Sequence, residues 1–201
     1  MLHSEAANEK LRAATVNDAS VLAGIYKYYV ENTTISFEYD APSERDFADR
    51  IAHRLEKYPF LVAEDNEAVV GYAYASEYRE RRAYDHSVEL SIYIDKDERR
   101  CGTGTLLYSA LLEILKEQNF ASAYSCITIP NSPSVSFHEE MGFKLIGYFH
   151  KAGFKHGSWL DVAWYEHPLA KYDAPPLDII PFPLLDKNKL ESILSSHSSN
   201  N

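Results

Sequence analysis

Cysteine and long apolar runs are scarce in this sequence. Its 201 residues include only two cysteines, Cys101 and Cys126. No apolar stretch approaches the roughly 18 residues that a transmembrane helix needs. The polar residues 1–10 carry no apolar core of a secretory signal. We therefore expect a cytoplasmic protein with reduced thiols and no membrane partner.

Positive charge is also in short supply. Lysine and arginine number 20 against 30 aspartate and glutamate residues, so the formal net charge is -10. This balance argues against nucleic acid or an anionic membrane surface as a partner. The histidines do not follow the spacing of metal ligands, so we expect no metal site. The length and a hydrophobic content of 45% fit one ordinary α/β domain.

Hydrophobic periodicity predicts an α/β domain over residues 10–169. In residues 87–94, Val88 and Leu90 share one face while Glu89 and Tyr93 share the other, which is typical of a strand. Similar patterns predict the other strands at 11–15, 60–64, 69–76, 123–129, 144–151 and 161–166, and helices that begin near residues 18, 43, 104 and 134. A loop with Gly153 and Gly157 is expected between the last two strands.

The two ends of the chain differ from this domain in composition. We expect residues 1–9 to form a disordered tail. Residues 170–201 are rich in proline near their start and predict an extended arm, with a disordered end from Ser195. The arm carries apolar residues, so we expect it to pack on the domain or on a second subunit.

A glycine turn separates the alternating strand from the next helix. It reads Arg99-Arg100-Cys101-Gly102-Thr103-Gly104. Glycine lets backbone amides approach a ligand, and the helix that follows adds the positive end of its dipole, so the turn can cradle a pyrophosphate. It lacks the lysine of a Walker loop and the third glycine of a dinucleotide fingerprint. Alone, the motif is weak, and a plain glycine turn is the better interpretation of it.

The surrounding motifs resemble a known family. Asn131-Ser132-Pro133-Ser134 and Gly142-Phe143 follow the glycine turn at a spacing that resembles the GNAT acyltransferase superfamily. The segments 79–85, 88–94, 130–135 and 152–157 are similar to those of phosphinothricin N-acetyltransferases. The resemblance runs from about Leu11 to Leu169.

The resemblance implies a fold and an activity. The fold would be a mixed, strongly twisted sheet with helices on both faces, whose central strands splay at a bulge to admit the pantetheine arm of acetyl-CoA. Acetyl would pass directly to the amine of a small amino acid, without a metal, and family members are commonly homodimers. Two alternatives stay open: acetylation of protein N-termini or lysines, and a non-catalytic module that binds acyl-CoA.

The resemblance also implies roles for individual residues. Those expected to bind acetyl-CoA are Ile92, Tyr93, Ile94, Arg99, Arg100, Cys101, Gly102, Thr103, Gly104, Asn131 and Ser134. Those expected to bind the acceptor are Phe37, Arg79, Arg81, Tyr84 and Tyr108. Position 79 is arginine where the family has lysine. Ser134 is open to a second interpretation, as a cap of its helix.

Two residues are expected to be catalytic. An amine attacks a thioester only after losing its proton, and Glu89 stands on the polar face of its strand, where a carboxylate can take that proton. The alternative is a solvated strand carboxylate. His138 takes the place of a tyrosine that protonates the departing thiolate in many GNAT enzymes. An imidazole can give that proton or orient the substrate, and the alternative is a histidine packed in its helix.

Overall fold

A seven-stranded mixed sheet organises the chain. The structure is a computed structural model that describes residues 9–98 and 102–198. The strands are β1 (Glu9–Ala13), β2 (Phe60–Asp65), β3 (Ala68–Glu77), β4 (Ser87–Ile94), β5 (Ser122–Ile129), β6 (Lys144–Lys155) and β7 (Ser158–Pro168), in the spatial order β1-β2-β3-β4-β5-β7-β6. The α-helices are α1 (Ala19–Asn32), α2 (Glu44–Leu55), α3 (Thr103–Glu117), α4 (Ser132–Glu140) and α5 (Lys187–Ser196).

Alternation along the strands places helices on both faces of the sheet. Tyr72 of β3 packs against α1 and α2, while its neighbour Ala73 belongs to the core beneath α3 and α5. A capping box opens α2, because the Ser43 hydroxyl accepts from the Asp46 amide and the Asp46 carboxylate accepts from Ser43. The α/β architecture predicted from the sequence is confirmed.

The two central strands separate soon after they meet. β4 and β5 run parallel, but their ladder comprises only three pairs, from Ser87–Ser122 to Glu89–Tyr124. Beyond Glu89 the strands splay, as expected. The expected bulge is absent from β4, which keeps an unbroken register with β3 over all seven of their pairs. The gap therefore comes from divergence of β5 from β4.

The last two strands are longer than the sequence pattern predicts. β6 and β7 form one hairpin, in which Gly153 pairs with Leu160 inside the ladder instead of lying in a loop. The ladder accommodates this glycine through a register shift between Phe149 and Gly153. The connection is a tight turn at His156 and Gly157, both with positive φ.

Both ends of the described chain correct the predicted boundaries. Glu9 belongs to β1 and is buried, so the strand begins before residue 10. The arm is extended only up to residue 181. It then forms α5, which Asp186 caps by accepting from the Lys189 amide at 2.9 Å. Ser195 and Ser196 are the last residues of that helix.

Candidate active site

A cavity of about 550 Å³ lies beside the start of α3, which we call the glycine-turn cavity. Gly102 precedes α3 with a φ of 92°, a conformation that strains any residue with a side chain. A Cβ on Gly104 would lie 3.3 Å from the Phe137 ring of α4. The first amides of a helix have no partner within it, so α3 offers N–H donors and a positive dipole end here.

A second cavity of about 490 Å³ lies on the α1 side of the gap, and we call it the Glu89 cavity. Glu89, Ser91 and Tyr93 of β4 line one wall. The chain after α1 lines another, and β5 contributes Cys126 and Thr128. The two cavities share four lining residues, Ile35, Ile92, Asn131 and Ser134. They therefore meet in the gap between β4 and β5.

Glu89 is placed as a base would need to be. Its side chain is half-buried in the cavity wall, and desolvation by burial raises the pKa of its carboxyl above the usual value. A carboxylate with a raised pKa accepts a proton more readily near neutral pH. The side chain is therefore not the freely solvated carboxylate of the alternative interpretation, and its role as a base stays a prediction.

His138 is buried and hydrogen-bonded at both ring nitrogens. Nδ1 lies 2.8 Å from the Ser134 carbonyl oxygen, which can only accept, so Nδ1 carries the hydrogen. Nε2 is then the acceptor for the Tyr108 hydroxyl at 3.1 Å. Burial lowers the pKa of His138, partly offset by the bond to Ser134, and the ring is neutral at pH 7. Both residues line the Glu89 cavity.

Tyr108 is thus oriented by His138. Its hydroxyl donates to His138, and its oxygen lies 3.5 Å from the Ser125 hydroxyl. Burial raises the pKa of Tyr108, and the charge of Glu89 adds to this effect. The hydroxyl stays protonated at neutral pH and holds a proton at the cavity wall.

Cys126 is a free thiol that faces the same cavity. Desolvation, together with the charge of Glu89, raises its pKa to about 12. The thiolate is the nucleophilic form, so the raised pKa disfavours Cys126 as a nucleophile at neutral pH. Among the described residues that line the cavity there is no activated cysteine for an acyl-enzyme, which agrees with direct transfer.

Asn131, and not Ser134, caps α4. The Asn131 side chain accepts from the Ser134 amide at 3.4 Å. Of the two interpretations of Ser134, the capping role is wrong. Its hydroxyl lies 3.4 Å from His138 Nδ1 and faces both cavities.

The structure brings together part of the predicted acetyl-CoA set. Ile92, Ile94, Gly102, Thr103, Gly104, Asn131 and Ser134 all line the glycine-turn cavity, while Tyr93 lines the Glu89 cavity. Arg99, Arg100 and Cys101 lie outside the described residues. The described part of the turn, with Gly102, Gly104 and the amides at the start of α3, suits the pyrophosphate of CoA.

The predicted acceptor-binding residues are only partly assembled. Phe37 and Tyr108 line the Glu89 cavity. Arg79, Arg81 and Tyr84 are exposed on the β3–β4 connection and line neither cavity. The Arg79 guanidinium instead lies 5.8 Å from the Tyr84 ring centre.

Sequence reasoning missed several wall residues. Ile35, Ser36 and Glu38 line the Glu89 cavity from the chain after α1, and Cys126 lines it from β5. The alternation of β5 carries a weak signal for Cys126, because side chains on alternate positions share a face. Nothing in the local pattern of residues 35–38 indicates a cavity wall.

Comparison with known proteins identifies the family. Residues 11–164 match the family model described as an acetyltransferase (GNAT) domain. The chain belongs to this family, and its fold is that of a GNAT acetyltransferase.

Three relatives narrow the class. The chain is 35% identical to a phosphinothricin N-acetyltransferase of Streptomyces viridochromogenes, over 86% of this chain and 93% of that protein. It is 32% identical to an L-methionine sulfoximine/L-methionine sulfone acetyltransferase of Pseudomonas aeruginosa, over 78% of this chain and 92% of that protein. A solved phosphinothricin acetyltransferase from Sinorhizobium meliloti, in complex with AcCoA, is 35% identical with a TM-score of 0.83. The alignment covers 88% of this chain and 98% of the other.

Neither a metal site nor a membrane span is found in the part of the chain that the structure describes. Residues 9–98 and 102–198 contain no group of three or more His, Cys, Asp or Glu side chains that could hold a metal ion. No helix in these ranges combines the length and apolar character needed to cross a bilayer.

Proposed function

We propose that this chain transfers acetyl from acetyl-CoA to the α-amine of a small amino acid or amino-acid analogue of the phosphinothricin or methionine sulfoximine type. The observation that carries the proposal is the pair of cavities that meet in the β4–β5 gap. One has the glycine turn that suits a pyrophosphate, and the other has a carboxylate with a raised pKa. The names of the relatives support the acceptor class.

Each side of the gap has a defined task in this proposal. Acetyl-CoA, when bound, supplies a thioester carbonyl as the acetyl donor. The amides at the start of α3 bind its pyrophosphate, and Ile92 and Asn131 line the passage between the cavities. Glu89 takes the proton from the amine at its carboxylate oxygen. His138 Nε2 holds the Tyr108 hydroxyl at the cavity wall. In the reaction this hydroxyl turns from His138 to give its proton to the departing thiolate, after which Tyr108 regains a proton from solvent and Glu89 releases one to it.

Recognition of the acceptor's acidic group is assigned to Arg79 and Arg81. Arginine can bind a carboxylate or phosphinate through two parallel hydrogen bonds. The support for this assignment is their position, since both lie on the connection that leads into β4, about eight to ten residues before Glu89. Because they are exposed and outside the Glu89 cavity, binding requires this connection to move inward or a second copy to bring it.

The protein is proposed to act as a homodimer in the cytoplasm. The β6–β7 hairpin exposes large apolar side chains, among them Leu145, Phe149, Phe154 and Trp159, which is 63% exposed. Such a patch is typical of an interface. Light scattering after size exclusion should give twice the chain mass, and Trp159→Lys should give monomers. A wild-type monomer would contradict the dimer.

The proposed location in the cytoplasm is supported by the free Cys126 thiol, which suits a reducing compartment.

The deciding experiment is thiol release from acetyl-CoA across a panel of acceptors. The panel contains phosphinothricin, methionine sulfoximine, methionine sulfone, the common L-amino acids, and a short peptide with a free N-terminal alanine. The proposal expects saturable release with at least one amino acid and little with the peptide. Release with the peptide alone would favour a protein acetyltransferase, and no release with CoA binding retained would favour a binding module.

A further inference from the structure

Lys155 is a buried lysine with no place in the chemistry described above. It is the last residue of β6, and only 2% of its surface is exposed. Its Nζ donates to the carbonyl oxygen of Val30 at 2.6 Å and to that of Ser36 at 2.7 Å. Burying an amine is costly unless it is hydrogen-bonded. These two carbonyls therefore make its position possible.

The two acceptors belong to neighbouring but different parts of the chain. Val30 lies in the last turn of α1, where carbonyls lack partners within the helix and a positive group is favourable. Ser36 lies in the connection between α1 and α2. Burial lowers the pKa of Lys155, while the negative charge of Glu38 acts in the opposite direction.

The segment that Lys155 reaches is a wall of the site. We call residues 35–38 the wall segment. Ile35 lines both cavities, and Ser36, Phe37 and Glu38 line the Glu89 cavity. On the helix side, Tyr26 hydrogen-bonds to Ser36 and Glu38 at 2.7 and 2.9 Å.

Two further contacts join the hairpin to this region. The Phe37 ring lies so close to Gly153 that a Cβ there would be 2.2 Å from it. The Tyr39 hydroxyl donates to the Phe154 carbonyl. Three consecutive residues at the end of β6 thus contact residues 36–39.

We infer that Lys155 is a positioning residue for the acceptor: it ties the wall segment to the end of α1 and to the β6–β7 hairpin. The tie sets where Ser36 and Phe37 stand in the cavity wall, whereas Arg50 and Tyr26 hold the carboxylate of Glu38 at the end of the segment. The wall segment has no strand pairing, so the loss of the two Lys155 hydrogen bonds should loosen it locally.

The first test does not depend on catalysis. Hydrogen–deuterium exchange is compared between the wild type, Lys155→Met and the control Lys144→Met, which changes an exposed lysine at the start of the same strand. The inference expects at least tenfold faster exchange in residues 33–39 of Lys155→Met, with α3 unchanged and the control like the wild type. Unchanged exchange in residues 33–39 would overturn it, as would an equal increase throughout the chain.

The second test rests on the proposed function. Lys155→Met should raise the KM for the amino acid at least tenfold and change the KM for acetyl-CoA less than twofold. Lys155→Arg, which keeps donors and charge, should recover part of the loss. Equal changes in both KM values would overturn the inference. If the wild type acetylates no amino acid, the proposed function fails, and the exchange experiment still decides the role of Lys155.

A milder variant covers the case in which Lys155→Met does not fold. Tyr39→Phe removes one hydroxyl from a side chain that is 65% exposed, so it leaves the core intact. It should increase exchange in residues 33–39 by a smaller factor and raise only the acceptor KM. If Tyr39→Phe matches the wild type in both the exchange of residues 33–39 and the acceptor KM, the β6–β7 hairpin does not position the wall segment.

Discussion

At the scale of single residues, Glu89 combines a cost in stability with a use in catalysis. Burial raises the pKa of its carboxyl above the ordinary value. The folded state therefore binds this proton more tightly than the unfolded state, and ionisation of Glu89 above that pKa destabilises the fold. The same ionised form is the base that the proposed reaction needs. Such conflicts between stability and activity are common at functional sites.

Glu89→Gln should separate these two effects. Turnover at neutral pH should fall by roughly 10²- to 10⁴-fold because the base is lost, while CoA affinity measured by calorimetry should stay within about twofold of the wild type. The acid limb of the pH–rate profile, which lies above the ordinary carboxyl pKa in the wild type, should disappear.

Thermal melting gives a second, independent check on Glu89. Glu89→Gln should melt higher than the wild type at pH 7 to 8. The difference should vanish below the ordinary carboxyl pKa, where Glu89 is neutral in both the folded and the unfolded state. Glu80→Gln, at an exposed carboxylate of the β3–β4 connection, serves as the control. Normal turnover in Glu89→Gln would show that solvent or another group, and not Glu89, takes the proton from the amine.

His138 acts through Tyr108 in our proposal, and this makes a specific prediction. His138→Ala removes the acceptor of the Tyr108 hydroxyl, so turnover should fall at least tenfold while CoA still binds. The two residues form one unit, so Tyr108→Phe combined with His138→Ala should cost no more than the worse single change. Losses that multiply in the kcat measurements would show two independent roles.

The pH–rate profile tests the same assignment from another direction. A neutral His138 that orients a hydroxyl has no proton of its own to titrate in the reaction. Its removal should lower the plateau and leave both limbs in place. Loss of the high-pH limb in His138→Ala would instead identify the imidazole as the acid, which is one of the two roles that the sequence left open.

At the scale of elements, the start of α3 explains why position 104 is glycine. From the sequence, a side chain there would be expected to meet the phosphate. In the structure its Cβ would point toward Phe137 at 3.3 Å and Ile92 at 3.6 Å, in the glycine-turn cavity. A branched side chain would therefore push α4 away from α3 and fill the cavity.

Gly104→Val should accordingly weaken CoA binding at least tenfold in calorimetry, with the fold retained. Gly24→Ala is the matched control: Gly24 lies in the exposed face of α1 with no atom within 4 Å of an added Cβ. That change should leave CoA affinity alone and stabilise α1 by about 0.5–1 kcal/mol. Unchanged affinity in Gly104→Val would remove this part of α3 from the binding argument.

Elements with a clear period could be predicted, whereas those shaped by distant contacts could not. The alternation of β4 and the apolar stripe of α3 fix these two elements and place Glu89 on the cavity side. The β6–β7 hairpin was predicted too short because Gly153 suggests a loop, and only its contact with Phe37 shows why a glycine lies inside the ladder. The wall segment has no period, and its position depends on Lys155, which lies 119 residues away in the sequence from Ser36.

At the scale of the whole molecule, the C-terminal arm extends beyond the matched acetyltransferase domain and completes its core. Phe182 and Ile193 are only 7% and 5% exposed and belong to the same core as α3. The buried Gln118 amide donates to the Lys57 carbonyl at 2.9 Å and to the Ile180 carbonyl at 2.8 Å. The sequence predicted that the arm packs on the domain or on a second subunit, and in the structure it packs on its own domain.

Removal of the arm should therefore destabilise the domain without touching either cavity. A chain that ends at Leu169 loses the burial of two large apolar side chains and the hydrogen bond from the Gln118 amide to Ile180, so we expect it to be insoluble or to melt far below the full chain.

Phe182→Ala is the finer test of the arm. Its expected loss of about 3–5 kcal/mol in the free energy of unfolding corresponds to a melting temperature lower by about 6–20 °C for a chain of this size. Leu184→Ala, in the same arm but 73% exposed, should change the melting temperature by about 1 °C or less. At a temperature where Phe182→Ala is still folded, its KM values should equal those of the wild type, since none of residues 170–198 lines either cavity. Equal melting of Phe182→Ala and Leu184→Ala in scanning calorimetry would contradict the arm as part of the core.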